Sequence, residues 1–138
     1  MTNAAILERA LDAFADPTRR DQYLDLYADH AALHGYAGVE PGRDGIRNFY
    51  NGMWAAFPDA RVDVQEVLEC GDRLIVRFEF AGTHRGAFLG IPGTGKPVRF
   101  HGITILKMEN GKCVERWSAA DFLAALIQIG AFVPGQAA

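Results

Sequence analysis

Residues 82–96 have the sequence GTHRGAFLGIPGTGK and join two segments in which apolar and polar residues alternate. Glycine adopts positive φ angles at little cost, so this segment is expected to be a long loop. The apolar residues Phe88, Leu89 and Ile91 indicate that the loop folds over an apolar surface. Because Trp117 and Asp121 follow after one further hairpin, the pattern predicts a small enclosed pocket with a carboxylate in it.

The same loop matches the phosphate-loop pattern G-x-x-x-x-G-K over residues 90–96. In a true phosphate loop, a Ser or Thr follows the lysine to hold magnesium, and a helix comes next. Here Pro97 follows, and the next segment alternates like a strand. The sequence therefore favours a lid or hairpin loop over a nucleotide site.

The segments on both sides of the loop predict a sheet. Apolar side chains alternate with polar or opposite-face residues through Leu74, Val76, Phe78 and Phe80. Asn110-Gly111 lies between two such segments and is typical of a tight hairpin. Strands are predicted at about residues 31–36, 62–68, 74–80, 98–108 and 113–117.

Helical spacing of apolar residues precedes and follows these strands. The clearest helix covers about residues 43–57, whose apolar stripe is Ile46, Phe49, Tyr50, Met53, Trp54 and Phe57. Further helices are predicted from a cap at Asn3 to Phe14, over about 20–27, and over about 121–129. This order predicts one α+β domain across residues 1–138, with helices covering one face of a curved antiparallel sheet.

The composition limits the classes of protein to which this chain can belong. With 49% hydrophobic residues the chain can build a core, and its nine Phe, four Tyr and two Trp fit a core that also lines an apolar cavity. A formal net charge of −3 without a Lys or Arg run argues against nucleic-acid binding. The sequence shows neither a bilayer-spanning stretch nor a signal peptide, and Cys70 and Cys113 have no metal spacing, so we expect a cytoplasmic protein with reduced cysteines.

Two residues are the candidate acid–base pair. If Glu109 faces Lys112 across the hairpin, His101 lies opposite Ala120, and a shift of one residue would place it opposite Asp121. In either register His101 and Asp121 are neighbours, and a buried carboxyl beside an imidazole can be tuned towards neutral pH. From local sequence alone, Asp121 is also a good N-cap for the last helix, and His101 also fits a half-exposed position on the sheet.

Other candidates are weaker. His84 at a strand end would point into the pocket mouth or cap the loop backbone. His30 and His34 are too far apart on a strand, and no acidic residue completes a ligand set with them, so no metal site is expected. Phe78 and Phe80 lie on the face opposite Arg77 and Glu79, and an exposed Phe pair would imply a dimer interface.

The chain resembles the SnoaL-like polyketide cyclases of the nuclear-transport-factor-2-like (cystatin-like) superfamily. The resemblance extends over about residues 42–130, in an order and spacing more specific than any one motif. It is carried by Phe57-Pro58-Asp59-Ala60, Gly71-Asp72-Arg73, Gly82-Thr83-His84 with Gly86 and Phe88, Gly90-Ile91-Pro92 with Thr94-Gly95-Lys96, Gly111-Lys112 with Glu115 and Trp117, Asp121, and Gln128 with Gly130.

This resemblance implies a cone-shaped barrel around one apolar pocket, a homodimer packed through the sheet, and no cofactor. It implies an intramolecular aldol closure of a hydrophobic carbonyl substrate, with Asp121 as general acid/base and His101 assisting. The predicted pocket residues are His84, Tyr50, Trp54, Phe57, Phe88, Trp117 and Tyr36. Two alternatives stay open: a non-catalytic binder of small apolar ligands, and an isomerase or hydrolase that would use a second buried carboxylate or a donor among Tyr27, Tyr36 and Tyr50.

Overall fold

A computed structural model describes residues 1–135 and confirms the α+β class. Four helices and five strands follow in the predicted order, with ends that differ by a few residues. In chain order they are α1 Asn3–Phe14, α2 Arg20–Leu24, β1 Tyr27–His34, α3 Arg43–Ala56, β2 Arg61–Cys70, β3 Arg73–Thr83, β4 Pro97–Glu109, β5 Lys112–Ala120 and α4 Phe122–Gln128. Thr2, rather than the expected Asn3, caps α1 through a bond from the Ala5 N–H. In the described part of the chain, none of the helices has the length and apolar character needed to cross a membrane.

The five strands form one curved sheet in the order β1-β5-β4-β3-β2. Strands β2 to β5 pair antiparallel as predicted, whereas β1 pairs parallel to β5. Strands β1 and β2 are the two edges, so the sheet curves without closing into the expected barrel.

The two faces of the sheet have different roles. Phe78 and Phe80 lie on the inner face with the buried core, and helices α1 to α3 contribute to the same core. Arg77 and Ile103 lie on the outer face, where Ile103 is 55% exposed. The Phe pair is therefore covered within the chain and is not an exposed interface.

The hairpin between β4 and β5 has the predicted turn. Glu109 pairs with Lys112, and both Asn110 and Gly111 have positive φ angles (50° and 77°), as a type I′ turn requires. Such a turn matches the twist of the flanking strands, so it fixes where the pairing of β4 and β5 starts.

A bulge just beyond the turn changes the register. Met108 pairs with Cys113, but Lys107 pairs with Glu115, so Val114 is an extra residue. The Cys113 Sγ–H donates to the Glu115 carbonyl across this bulge (3.3 Å). Cys113 points inward, and without the bulge Trp117 would point inward too. With the bulge, Arg116 faces the core instead.

Two glycines of α3 offer a matched test of this packing. A Cβ on Gly45 would lie 2.1 Å from the Glu40 carbonyl oxygen, whereas a Cβ on Gly52 would meet nothing within 4 Å. We expect Gly45→Ala to destabilise the protein by about 1–3 kcal/mol through this clash. We expect Gly52→Ala to stabilise it by about 0.5–1 kcal/mol, because alanine favours helix. Urea unfolding of both variants measures the two changes, and equal changes would contradict the placement of α3.

Candidate functional site

The glycine-rich loop is tied down at both ends. The His84 N–H donates to the Lys96 carbonyl (2.9 Å), and the Gly95 N–H donates to the His84 carbonyl (2.7 Å). At its tip Phe88 and Ile91 exchange two backbone bonds around Leu89 and Gly90. Strand β4 follows it, so the loop lacks the helix of a phosphate loop.

His84 holds this loop from below. Its side chain is fully buried, and its Nε2 lies 3.2 Å from the Ile91 carbonyl, which makes Nε2 the protonated nitrogen. Its Nδ1 then accepts from Thr94, whose hydroxyl is 2.9 Å away and whose N–H is 3.3 Å away. The structure thus matches the loop-capping interpretation of His84, and both ring nitrogens already have partners.

Five phenylalanines form a closed ring of edge and stacked contacts beside His84. Neighbouring ring centroids are 4.7 to 5.6 Å apart, in the order Phe57, Phe80, Phe100, Phe122, Phe88 and back to Phe57. Two predicted pocket residues, Phe57 and Phe88, belong to this ring and are 0% and 5% exposed. Here their rings pack against protein, as core residues do.

Two cavities in the described part of the chain lie elsewhere. The larger, about 510 Å³, is an open surface groove beside the start of β4, whose lining includes Arg61, Lys96, Arg99 and Gln128. The smaller, about 250 Å³, lies beside α1 and the hairpin turn. Neither is lined by the residues predicted for the enclosed apolar pocket.

Asp121 and His101 are adjacent through their backbones. The Asp121 N–H donates to the His101 carbonyl (2.9 Å), and Gly102 pairs with Ala120. The strands thus have the shifted register, with His101 opposite Asp121 and not opposite Ala120. Their side chains diverge, however. The exposed Asp121 carboxylate accepts the Ala124 N–H (3.0 Å) as the N-cap of α4. His101 points outward, with Nε2 3.4 Å from Glu79. The expected enclosed acid–base pair is thus absent from the described residues, and the catalytic roles of both remain predictions.

Trp117 lies on the outer face, which differs from its predicted place in a pocket wall. The bulge at Val114 turns it there, and its ring stacks on His34 at 5.3 Å with the Arg73 guanidinium 5.2 Å away. Trp54 is buried next to Tyr50, with ring centroids 5.9 Å apart. The predicted pocket residues therefore fall into separate parts of the fold.

The interior instead holds a polar cluster around Arg116, which is only 7% exposed. Its Nη1 donates to three hydroxyl oxygens, those of Tyr23 (3.1 Å), Tyr27 (2.7 Å) and Tyr50 (3.2 Å). Its Nε donates to Thr104 Oγ1 at 2.9 Å. Helices α2 and α3 and strands β1 and β4 each contribute a partner, so this cluster joins most of the fold. We call these residues, with Tyr36 and Ser118, the arginine cluster.

One arm of the cluster has a defined direction of donation. The Thr104 hydroxyl donates to the Trp117 carbonyl (2.8 Å), so the Ser118 hydroxyl must donate to Thr104 (2.7 Å). Tyr36 must then donate to Ser118 (2.7 Å). Every hydroxyl hydrogen of this arm therefore has an acceptor.

The other arm links three tyrosine hydroxyls and, in the described part of the chain, leaves one nitrogen of Arg116 without a partner. The hydroxyls of Tyr23, Tyr27 and Tyr50 are linked by two contacts, of 2.8 and 2.9 Å, which use two of their three hydrogens. Among the described residues, Arg116 Nη2 has no hydrogen-bond partner. Among the described residues, the fully buried side-chain nitrogens without a partner are Arg20 Nε and Trp54 Nε1. Arg116 Nη2 is not one of them, so solvent or a ligand can reach it.

The cluster is positively charged and has no built-in counter-ion. Burial raises the pKa of Tyr23, Tyr27, Tyr36 and Tyr50 because removing a phenolate from water outweighs its attraction to Arg116. Burial opposes the charge of Arg116, but the surrounding tyrosines outweigh this and raise its pKa. The tyrosines are therefore neutral and Arg116 is a cation at neutral pH.

Sequence reasoning missed Arg116 and Thr104, although it named Tyr27, Tyr36 and Tyr50 as candidate donors. Strict alternation of inward and outward side chains from Cys113 would place Arg116 on the outer face of the sheet. One feature of the sequence indicates the bulge that reverses this. Cys113-Val114 is a pair of consecutive apolar residues just after a turn, as at a bulge. No group of His, Cys, Asp and Glu suited to a metal occurs in residues 1–135.

A known protein family matches most of this chain. The family model of the SnoaL-like polyketide cyclases matches residues 5–129. No curated protein matches the chain significantly.

Several solved structures share the fold. A SnoaL-like polyketide cyclase from Agrobacterium tumefaciens is 25% identical, with a TM-score of 0.78 over 94% of this chain and 99% of that one. IdmH from Streptomyces antibioticus, described as a proposed polyketide cyclase, is 28% identical, with a TM-score of 0.78 over 94% and 99%. AclR from Streptomyces galilaeus, described as a proposed hydroxylase, is 22% identical, with a TM-score of 0.82 over 95% and 97%, and this likeness concerns the fold alone.

The anchor at the start of the loop gives a pH prediction. The Asp59 carboxylate accepts the Thr83 N–H and hydroxyl, both at 2.7 Å. Burial raises the pKa of Asp59, but these bonds outweigh it and lower the pKa overall. Stability from a lowered pKa is present above the unfolded value of about 3.9 and is lost as pH falls through the folded value.

We therefore expect Asp59→Asn to be less stable than wild type at pH 7 by up to about 1 kcal/mol, since the site is largely exposed. The difference should vanish near pH 2. Urea unfolding at both pH values measures it, with Asp63→Asn as control, because Asp63 accepts no backbone N–H in the described residues. A difference that persists at low pH would show that the carboxylate charge does not hold Thr83.

Proposed function

Because the chain belongs to the SnoaL-like polyketide cyclase family, we propose that it acts on a small hydrophobic carbonyl compound by proton transfer, without a cofactor. The reaction class proposed is an intramolecular aldol condensation, as the resemblance implies. The family membership supports the substrate class, and the interior of this chain supports the chemistry of oxygen binding.

The observation that carries the proposal is the buried set of donors in the arginine cluster. A carbonyl oxygen is a hydrogen-bond acceptor, and preorganised donors in a water-poor site bind it strongly. Arg116 Nη2 and the tyrosine hydroxyls are donors of this kind, so they would hold an oxygen of the substrate.

A base must remove the proton, and Asp121 is the proposed group. Its Oδ1 caps α4, while its Oδ2 has no hydrogen-bond partner in residues 1–135 and so keeps its lone pairs free. Asp121 lies five residues beyond Arg116, or about 16 Å at the rise of a strand. The atoms that react in an aldol step lie within a few ångströms of the abstracted proton, so Arg116 would hold a different oxygen, at the far end of an extended substrate. His101 is the proposed acid for the new alkoxide, and because it lies on the outer face of β4 it would act beside Asp121 and not at the arginine cluster.

The alternative is a carrier or sensor of small apolar ligands. The cap formed by Asp121 favours this alternative, because a capping carboxylate has a structural reason to be there. The isomerase or hydrolase alternative gains support from Tyr27, Tyr36 and Tyr50, which are grouped in the cluster. A second buried carboxylate for that chemistry does not occur in residues 1–135.

The variant Asp121→Asn distinguishes a role of Asp121 as the catalytic base from its role as a helix N-cap. Asparagine caps helices as well as aspartate does, so stability should change by less than about 0.5 kcal/mol. If Asp121 is the base, cyclisation of β-keto esters and related linear polyketones, followed by absorbance and mass spectrometry, should slow about 10²- to 10⁴-fold. Asp121→Ala is the matched variant that also loses the cap, at a cost of about 1 kcal/mol.

Unchanged turnover in Asp121→Asn would make Asp121 a cap and remove it from the mechanism. Compounds that bind wild type and are never converted would favour the ligand-binding alternative.

We also propose that the chain forms a homodimer through the outer face of the sheet. A row of neighbouring side chains crosses four strands on this face, through Leu68, Ile75, Ile105 and Trp117. His34 continues the row onto β1. Leu68 is 51% exposed in the single chain. Such a continuous apolar row on an exposed face is typical of an interface.

Ile103→Lys tests this interface, because Ile103 lies beside the row and its lysine would be buried without a partner. Light scattering after size exclusion should give a dimer for wild type and a monomer for Ile103→Lys. Leu123→Lys is the control, since Leu123 is similarly exposed (53%) but lies on α4. A monomeric wild type, or a dimeric Ile103→Lys, would contradict the proposal.

A further inference from the structure

We infer that the arginine cluster is a carboxylate-binding subsite, so that the ligand of this protein carries a free acid group. This inference rests on the proposed function, because it names the substrate class of the same interior site. It goes further by assigning a permanent negative charge to the ligand, which neither the family nor an ester or ketone substrate requires.

The first argument is the charge. Arg116 is 7% exposed and forms no ion pair with an Asp or Glu of residues 1–135. A buried ion without a partner of opposite charge is strongly destabilising, whereas a paired one regains much of the cost of leaving water. Neutral tyrosine hydroxyls solvate the guanidinium but cannot neutralise it. An anionic ligand would neutralise it.

The second argument is the balance of donors. On the side of Tyr23, Tyr27 and Tyr50, both hydrogens of Arg116 Nη2 lack an acceptor in the described residues. A carboxylate is an acceptor with two oxygens and about four lone-pair positions, and it pairs with guanidinium in a fork. A single carbonyl oxygen would satisfy fewer of these hydrogens and would leave the charge in place.

The third argument is rigidity. The Nε of Arg116 is held by Thr104, which also receives the Ser118 hydroxyl and donates to the Trp117 carbonyl. Nη1 is held by the three tyrosines. The guanidinium plane is thereby fixed before any ligand arrives, and Nη2 remains as its free corner. A preorganised donor loses little entropy on binding.

The surroundings indicate how the rest of the ligand would be held. Tyr50 packs edge-to-face on Phe49 (5.0 Å), and Phe49 packs on Tyr36 (5.1 Å). Phe49 and Tyr36 are half-buried, whereas Tyr50 is buried. An aromatic or aliphatic acid would thus place its carboxylate on Arg116 and its apolar part against these rings.

The test compares isosteric probes that differ in charge, benzoate against benzamide and 2-naphthoate against 2-naphthamide. Binding is measured by NMR titration of the Arg116 side-chain Nε–H and by calorimetry at pH 7. We expect each acid to bind at least about tenfold more tightly than its amide, because a charge-assisted fork is the stronger interaction.

The variants assign this preference to Arg116. Arg116→Met keeps length and loses charge, and it leaves Thr104 and three tyrosine hydroxyls without their donor. We expect it to abolish the acid preference and to be less stable than wild type, so binding is compared at a temperature where circular dichroism shows both proteins to be folded. Arg116→Lys keeps the charge without the fork and should retain part of the preference. Arg77→Met, on the outer face beside Gln65 and Glu66, is the control that should bind as wild type does.

Each outcome separates the two proposals. Equal binding of acid and amide, or an acid preference that survives in Arg116→Met, would overturn the carboxylate subsite and leave the carbonyl-binding function standing. If neither acids nor amides bind wild type or shift Arg116, both proposals are wrong at this site. Acid preference lost in Arg116→Met but not in Arg77→Met would support the inference.

Discussion

The buried guanidinium of Arg116 is the interaction on which the interior of this protein depends. Arg116 lies on β5 and donates hydrogen bonds to hydroxyl oxygens on α2, β1, α3 and β4. Each of these elements brings one polar group to the same point, so their relative positions are coupled through one side chain. Apart from His84, the other buried side chains of residues 1–135 are hydrophobic, and they include four members of the ring of five phenylalanines beside the loop. A misplacement of any one element would leave a buried donor or acceptor without a partner, which is costly.

The position of Arg116 follows from a single extra residue. Val114 forms a bulge between Cys113 and Glu115, and every later residue of β5 changes face. The bulge moves Trp117 to the outer row and Arg116 and Ser118 to the core. One local irregularity therefore decides both the chemistry of the interior and the apolar character of the outer face. The bulge therefore places a buried charge in the core, and taking a charge out of water is costly.

Much of this fold could be predicted from the sequence, and the reasons for the failures are physical. Period-two and period-3.6 patterns gave the α+β class, and Asn110-Gly111 gave the hairpin turn. Asp121 as a cap and His84 as a loop anchor were both among the local interpretations. The errors concern Trp117 and Arg116, because strict alternation carries a strand across a bulge on the wrong face. The parallel pairing of β1 could not be predicted from local sequence patterns either, because it depends on where β1 meets β5 in space.

The most direct test of the central claim is a spectrophotometric titration of the tyrosines at 295 nm. All four tyrosines of the chain, at positions 23, 27, 36 and 50, belong to the arginine cluster, and burial raises the pKa of each. The account predicts no tyrosinate absorbance in the native protein through about pH 10, the ordinary pKa of a tyrosine, and a rise for all four together when alkali unfolds the chain. One or more tyrosines that ionise near pH 10 in the folded protein would contradict the burial of the tyrosine hydroxyls around Arg116.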